Sequence, residues 1–144
     1  MFKRIKWGWV LIILVVLFAA IQLIPYGHTH GNPPVATEPN WDSPQTRALA
    51  ARACFDCHSN ETVWPWYSNV APVSWLVQHD VDEGRQRLNF SEWGQGRQRV
   101  DEIAAIVLER EMPPSFYLPM HAQARLTTAE RTALADGLRA TVQK

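Results

Sequence analysis

The chain has 144 residues, which is room for one ordinary domain and short accessory segments. Its 14 basic and 14 acidic side chains balance, so the composition excludes the strongly basic surface typical of nucleic-acid binding, and we expect no nucleic-acid partner. The charges are unevenly placed, because Lys3, Arg4 and Lys6 all precede the first apolar run and the residues after Pro25 carry an excess of acidic side chains.

The first element in chain order is an apolar run from Trp7 to Ile24, 18 residues with one strongly polar member, Gln22. A helix of that length spans about 27 Å, close to the hydrocarbon thickness of a bilayer. The basic residues before the run keep the N-terminus in the cytoplasm. We therefore predict a cytoplasmic basic tip at residues 1–6, a transmembrane signal-anchor at residues 7–24, and a single-pass inner-membrane protein with the rest of the chain in the periplasm. A cleaved signal peptide is the alternative, although no clean cleavage site follows the run.

Residues 25–42 contain four prolines and two glycines, which argues against a regular helix or strand. We predict a semi-extended tether over this range. His28 and His30 lie in it and are candidate metal ligands. Two histidines in a flexible tether usually have no defined role, so the alternative is that they bind nothing.

A helix is predicted to begin at Ser43 and Pro44, because serine is a favoured N-cap and proline is favoured in the first helical turn. The helix leads into Cys54-Phe55-Asp56-Cys57-His58, and the spacing Cys-x-x-Cys-His is typical of c-type haem attachment. Two thiols one helical turn apart each form a thioether with one vinyl group of a porphyrin, and the following histidine binds the iron. We predict one covalent haem c, attached through Cys54 and Cys57 and ligated by His58.

Two other readings of the motif remain open. A redox dithiol usually opens a helix after a strand, and no strand pattern precedes Cys54. A structural zinc site requires four ligands, and His79 and His121 do not lie at zinc-finger spacing from the cysteines.

The rest of the chain predicts helices separated by one aromatic loop. Apolar residues at helical spacing predict helices at 72–88 and 97–110, and Ser91 is expected to cap the second of these. A capping box at Thr127 to Glu130 predicts a final helix that ends near Val142. The predicted fold is therefore all-α, a small cytochrome c-like domain at residues 43–144 wrapped round one haem.

Aromatic residues are concentrated after the haem motif. Trp64-Pro65-Trp66-Tyr67 lies in a predicted irregular loop at 59–71, because proline interrupts a helix there. We expect Trp64, Trp66, Tyr67 and, on the next helix, Trp75 to contact the haem, since large aromatic groups are seldom left in water. The alternative is an aromatic plug for the domain core.

Met112 is the predicted sixth ligand of the iron. It follows a predicted helix and precedes Pro113-Pro114, which fix an extended backbone. Methionine at this position raises the reduction potential. The alternatives are His79, His121, Met120 or an open site.

With these motifs the sequence resembles a bacterial haem-binding domain family of exported small c-type proteins. The matching stretches cover most of Arg47 to Gly137 and are Cys54 to Asn60, Trp64 to Tyr67, Ala71 to Trp75, Asn89 to Trp93, Met112 to Pro114, Tyr117, His121 and Ala124 to Leu126. The resemblance implies covalent haem and a periplasmic location, and it implies little about physiological role.

The first function hypothesis is a membrane-anchored electron carrier that exchanges single electrons with redox partner proteins and is not an enzyme. A haem-based sensor with a displaceable sixth ligand is the alternative. A peroxidase is disfavoured because no distal pair of histidine and arginine is evident. Four arginines are expected to lie on solvated faces or beside haem propionates, namely Arg85, Arg87, Arg97 and Arg99.

Overall fold

The computed structural model describes residues 6–94 and 99–143. Over these residues the chain forms six α-helices and no β-strand, so the predicted all-α class is confirmed. The helices are α1 Trp7–Ile21, α2 Pro44–Ala53, α3 Phe55–His58, α4 Val73–Arg87, α5 Val100–Leu108 and α6 Thr128–Val142, with short 3-10 helices at Trp66–Asn69 and Ala122–Ala124. Residues 1–5 of the predicted basic tip and Arg97, the predicted start of α5, lie outside the described residues.

The chain divides into two compact units. The first contains the chain up to His30 and the segment Trp64–Asp80, and the second contains Gly31–Val63 and the chain from Val81 onwards. The haem motif and Met112 belong to the second unit, whereas the four aromatic residues predicted to contact the haem belong to the first.

Helix α1 is shorter than the apolar run that predicted it. It ends at Ile21 after 15 residues, or about 22 Å. The side-chain amide of Gln22 donates to the carbonyls of Phe18 and Ala71, each at 3.0 Å, and its oxygen accepts the backbone N–H of Ala71 at 2.9 Å. This polar side chain thus joins the end of α1 to another segment of the same unit, and a turn follows.

No helix in residues 6–94 or 99–143 has the length and apolar character needed to cross a bilayer. The predicted transmembrane anchor at 7–24 is therefore wrong. The inner-membrane, single-pass location with the haem domain in the periplasm depended on that anchor and is corrected with it.

The predicted tether contains no helix or strand, but its second half is attached to the second unit. The backbone N–H groups of Ala36 and Thr37 donate to the carbonyl of Ser91 at 2.9 and 3.0 Å. In return the N–H of Trp93 donates to the carbonyl of Thr37 at 2.9 Å. Backbone hydrogen bonds therefore fix this part of the chain despite its prolines.

The core of the second unit is made by α2, α5 and α6 with the aromatic residues between them. Helix α5 packs along α6, and α2 crosses α6 at Gly137, where a Cβ would lie 2.1 Å from the hydroxyl of Thr46. The buried apolar side chains of this core are Leu49, Ala50, Phe55, Leu88, Phe90, Val100, Val107, Leu126, Leu134 and Leu138. Close crossing of α2 and α6 places the end of α2, where the haem motif begins, against the start of α6.

Local capping signals are confirmed at two helices. The hydroxyl of Ser43 accepts the N–H of Thr46 at 3.2 Å at the start of α2. At α6 the hydroxyl of Thr127 accepts the N–H of Glu130 at 3.2 Å, and the carboxylate of Glu130 accepts the N–H of Thr127 at 2.7 Å. Both helices begin where the sequence indicated.

Candidate haem site

The Cys-x-x-Cys-His motif begins at Cys54, which lies between α2 and α3, and its other four residues form α3. The N–H of Cys54 donates to the carbonyl of Ala50 at 2.8 Å and so completes α2, and the N–H of His58 donates to the carbonyl of Cys54 at 2.8 Å. Phe55 is buried and stacks on Phe90 with ring centroids 5.5 Å apart. This buried ring anchors the motif to the core, while both cysteines remain partly exposed and no disulfide joins them.

Although Cys54 keeps some exposed surface, desolvation by the surrounding protein raises the pKa of its thiol to about 12, and the neighbouring Cys57 adds to the effect. A thiol with so high a pKa stays protonated at neutral pH. Since the thiolate is the form that attacks disulfides, this environment disfavours the redox dithiol.

Two backbone carbonyls orient the ring of His58, one within α4 and one just after the C-terminal end of that helix. Its Nδ1 lies 2.9 Å from the carbonyl oxygen of Gly84 and 3.1 Å from that of Leu88. Because carbonyl oxygens only accept, Nδ1 carries the hydrogen and donates it, and in the neutral ring Nε2 keeps its lone pair. Burial lowers the pKa of His58 and outweighs these two hydrogen bonds, which act to raise it. A neutral imidazole held at Nδ1 by a carbonyl is the usual state of a metal-binding histidine.

Gly84 allows α4 to lie directly against the motif. A Cβ at this position would lie 2.3 Å from the carbonyl oxygen of Cys57 and 3.0 Å from its Cβ. Any larger residue would therefore push the helix away from the motif. The sequence analysis missed this role of Gly84, because a lone glycine in a helix does not indicate which segment approaches it.

Arg85 was expected on a solvated face or beside a propionate. It instead binds the residues that follow the motif and a neighbouring segment of the chain. Its Nε donates to the carbonyl of Ser59 at 2.8 Å and its Nη1 to the carbonyl of Gly31 at 2.9 Å. Its Nη2 donates to the side-chain oxygens of Asn32 and Thr62, both at 3.0 Å. Burial lowers the pKa of Arg85, with nearby acidic groups opposing the shift. Arg85 thus joins the end of the motif to the chain segments that flank it.

The other arginines in that set lie on the surface where the structure describes them. Arg87 pairs with Glu83 at 3.2 Å within α4, and Arg99 pairs with Glu102 at 2.7 Å. Both side chains are largely exposed, as expected of solvated faces. Arg97 lies outside the described residues.

The segment after α4 binds the residues that follow His58. The N–H of Phe90 donates to the carbonyl of His58 at 2.8 Å, and the side-chain amide of Asn89 donates to the side-chain oxygen of Asn60 at 2.9 Å. The hydroxyl of Ser91 accepts the N–H of Asn60 at 2.9 Å. The expectation that Ser91 caps α5 is therefore wrong, because its side chain is buried and bound to the haem-motif segment.

The long segment between α5 and α6 contacts the motif through Tyr117. The tyrosine hydroxyl donates to the carboxylate of Asp56 at 2.5 Å, and the other oxygen of that carboxylate accepts the N–H of Val63 at 3.0 Å. The ring of His121 stacks on Tyr117 with centroids 3.7 Å apart, and its Nδ1 donates to the tyrosine carbonyl at 3.0 Å. Tyr117 was recognised only as part of the resemblance, and its contact with Asp56 was missed.

Met112 lies at the start of the same segment, between α5 and α6. Its side chain is 38% exposed, and its carbonyl accepts Nη1 of the buried Arg131 at 2.7 Å. Arg131 was not singled out from the sequence, although it lies on the stripe that α6 buries, three residues before Leu134, because arginine is usually a surface residue. The structure thus holds the backbone of Met112, and its role as an iron ligand stays a prediction.

The other candidate ligands and the aromatic residues are placed as follows. His79 and Met120 are exposed. In the first unit, Trp64 stacks on His30 with centroids 4.7 Å apart, and Trp66 is 75% exposed and meets Tyr67 edge to face. The predicted haem contacts of Trp64, Trp66, Tyr67 and Trp75 stay predictions.

No metal-binding group of three or more His, Cys, Asp or Glu side chains occurs within the described ranges. His28 and His30 therefore lack further ligands of these types for a centre of their own. Nε2 of His30 instead lies 2.9 Å from the carbonyl oxygen of Ser68, in the same unit.

The donor set at the motif fits a haem. Two thiols stand one helical turn apart on α3 and its N-terminal flank, and the next residue is a neutral histidine whose Nδ1 is already bound. A family model described as a haem-binding domain matches residues 16–140, whereas no curated protein and no solved structure gives a significant match. The chain therefore belongs to the haem-binding domain family.

Proposed function

We propose that the protein is a mono-haem c-type cytochrome that carries single electrons between redox partner proteins and is not itself an enzyme. Bound haem supplies an iron that alternates between ferric and ferrous states and so accepts and releases one electron at a time. The observation that carries the proposal is the hydrogen bonding of His58 Nδ1 to the carbonyls of Gly84 and Leu88. These bonds fix the tautomer and orientation of an axial ligand before the cofactor arrives.

Cys54 and Cys57 provide the covalent attachment in this proposal. Each thiol would add across one vinyl double bond of the haem, with a C–S bond formed at one carbon and the thiol hydrogen transferred to the other, so the addition would need no oxidant or reductant.

Met112 is the proposed second axial ligand, and two chains of contacts connect its segment to the motif. Its carbonyl is bound by Arg131, and the adjacent Glu130 pairs at 2.5 Å with Arg52, which lies two residues before Cys54. Further along the segment, Tyr117 contacts the motif itself. Met112 and Tyr117 are thereby both connected to the C-terminal end of α2 and the motif that follows it.

An electron carrier needs a site that changes little between redox states, and the hydrogen bonding around the motif supports this proposal. Buried polar groups of the two segments that flank it are paired with each other, notably Asn60 with Asn89 and Ser91. Arg85 has four acceptors of its own and is therefore not available as a proton donor for peroxide chemistry.

The test uses the full chain produced together with a haem-attachment system. Haem stain should remain on the band after denaturing electrophoresis, and Cys54→Ala combined with Cys57→Ala should abolish it. Each single cysteine variant is the matched control, because one remaining thioether still retains the stain. A redox titration should fit one electron, and the ferrous spectrum should not change when carbon monoxide is added. Stain on the double variant would refute covalent attachment, and rapid carbon monoxide binding would refute the closed electron carrier.

The sensor is the second candidate, and one observation favours it. The side chain of Met112 is more than a third exposed, and so are those of Phe116 and Met120 in the same segment. A ligand residue in so exposed a segment is easier to displace. In that case, carbon monoxide binds the wild-type ferrous protein and Met112→Ala changes the binding rate little.

A further inference from the structure

Arg131 is a buried cation whose guanidinium binds main-chain oxygens among the residues that the structure describes. It lies in the first turns of α6 and is 7% exposed. Its Nη1 donates to the carbonyl of Val107 at 2.9 Å and to that of Met112 at 2.7 Å. The first acceptor is in the last turn of α5, and the second belongs to the proposed iron ligand. One nitrogen thus joins the end of α5 to Met112.

The charge of Arg131 has no acidic partner in the part of the chain that the structure describes. The ion pairs there involve other arginines, and the one charged neighbour that acts on Arg131 is Arg110, which repels it. Burial is the larger cause that lowers the pKa of Arg131, and the repulsion from Arg110 lowers it further. Burying a cation in this way is costly unless its hydrogen bonds compensate. The two carbonyls, with the negative end of the α5 dipole, provide that compensation.

The segment beyond Met112 has a second attachment at Tyr117, whose hydroxyl binds Asp56 inside the haem motif. The chain between Met112 and Tyr117 therefore runs from a point fixed on α6 to a point fixed on the motif. With both ends held, the position of the Met112 carbonyl determines where its side chain starts. The N–H of Met112 also donates to the carbonyl of Ile106, at 3.4 Å, so loss of the Arg131 contact would loosen this end and leave the Tyr117 contact in place.

We propose that Arg131 is a positioning residue for the second axial ligand, because it fixes the backbone of Met112 through the carbonyl. This inference rests on the proposed function, in which Met112 binds the iron. Arg131 acts through Met112 and contacts no reacting atom. Its loss should therefore increase the fraction of molecules in which the sulfur has left the iron, while the haem stays attached.

The test compares Arg131→Leu and Arg131→Lys with the wild type in the full haem-loaded chain. Arg139→Leu is the matched control, because Arg139 lies two turns further along α6 and pairs with Asp136 at 3.3 Å. The readouts are the near-red charge-transfer band of methionine-ligated ferric haem, the reduction potential, and the fraction of ferrous protein that binds carbon monoxide rapidly. Circular dichroism checks helix content.

Loss of a charge-assisted hydrogen bond predicts a rise of about tenfold in the fraction open to carbon monoxide for Arg131→Leu. The methionine band should weaken and the potential should fall. Arg131→Lys should lie between this variant and the wild type, since an ammonium group reaches one carbonyl less well. Arg139→Leu should match the wild type in all three readouts.

Three outcomes would overturn the inference. The first is an unchanged band, potential and carbon monoxide response in well-folded Arg131→Leu. The second is an equal change in Arg139→Leu. The third is failure of both Arg131 variants to fold, which would give this side chain a role in the whole domain and none specific to Met112. Failure of the proposed function looks different, because Met112→Ala would then leave the wild-type band and carbon monoxide response unaltered.

Discussion

Replacement of Gly84 by alanine adds one methyl group where α4 meets the haem motif. The new Cβ would lie 2.3 Å from the carbonyl oxygen of Cys57 and 2.9 Å from its carbonyl carbon. These are backbone atoms, which cannot rotate away as the end of a side chain can. Helix α4 must therefore move off the motif, and the carbonyls of Gly84 and Leu88 move with it, away from Nδ1 of His58.

The size of the effect of Gly84→Ala follows from three opposing contributions. Alanine favours a helix over glycine by about 1 kcal/mol. Overpacking typically costs about 1–3 kcal/mol, and contact with backbone atoms puts this case at about 3. Weaker hydrogen bonds to His58 add about 1 kcal/mol. The net loss in the free energy of unfolding is about 3 kcal/mol, which lowers the melting temperature by about 10 °C for a chain of this size.

Urea unfolding of the haem-loaded protein, followed by circular dichroism, measures this loss. The matched control is Gly8→Ala in α1, where no atom lies within 4 Å of the added Cβ. That variant should be unchanged or more stable by up to about 1 kcal/mol, because only helix propensity differs. If Gly84→Ala were as stable as the wild type, α4 would not be in close contact with the motif and the account of His58 given above would be wrong.

Two further predictions concern the contacts of α6 and the α5–α6 segment. Tyr117→Phe removes the hydroxyl that binds Asp56 and should lower the free energy of unfolding by about 1–3 kcal/mol in urea titrations, so an unchanged midpoint would argue against that hydrogen bond. The pKa of Glu130 falls from 4.5 to about 2, first because the N–H of Thr127 donates to its carboxylate and next because Arg52 does. Folding therefore favours the charged carboxylate, so its contribution is complete above pH 4.5 and is lost as the pH falls towards 2. Melting curves between these pH values should be flatter for Glu130→Gln than for the wild type, and coincident curves would contradict the shift.

Elements with a local signal were predicted well from the sequence. Ser43 followed by Pro44 marks the start of α2, and the capping box at Thr127 marks the start of α6, because each cap satisfies backbone groups within one turn. The haem motif is likewise local, since its chemistry depends on spacing alone. None of these predictions needed information about distant segments.

The errors arose where a distant segment decides the outcome. The apolar run continues to Ile24, but α1 ends at Ile21, and Gln22 binds Ala71, which lies 49 positions away. Ser91 has the chemistry of a helix cap, yet its hydroxyl binds the N–H of Asn60 across 31 positions. Hydropathy and capping preferences describe neighbours in sequence and so could not predict either contact.

The same reasoning explains why the groups around His58 were harder to predict than His58 itself. Its partners are carbonyls of Gly84 and Leu88 and the N–H of Phe90, and main-chain groups of this kind are supplied by any residue type. The type of residue matters where two backbones must approach closely, as at Gly84, or where a long side chain connects two segments, as with Arg85. His58, the proposed axial ligand, is therefore oriented by the placement of α4, and the residues that fix this placement affect its orientation without contacting its ring.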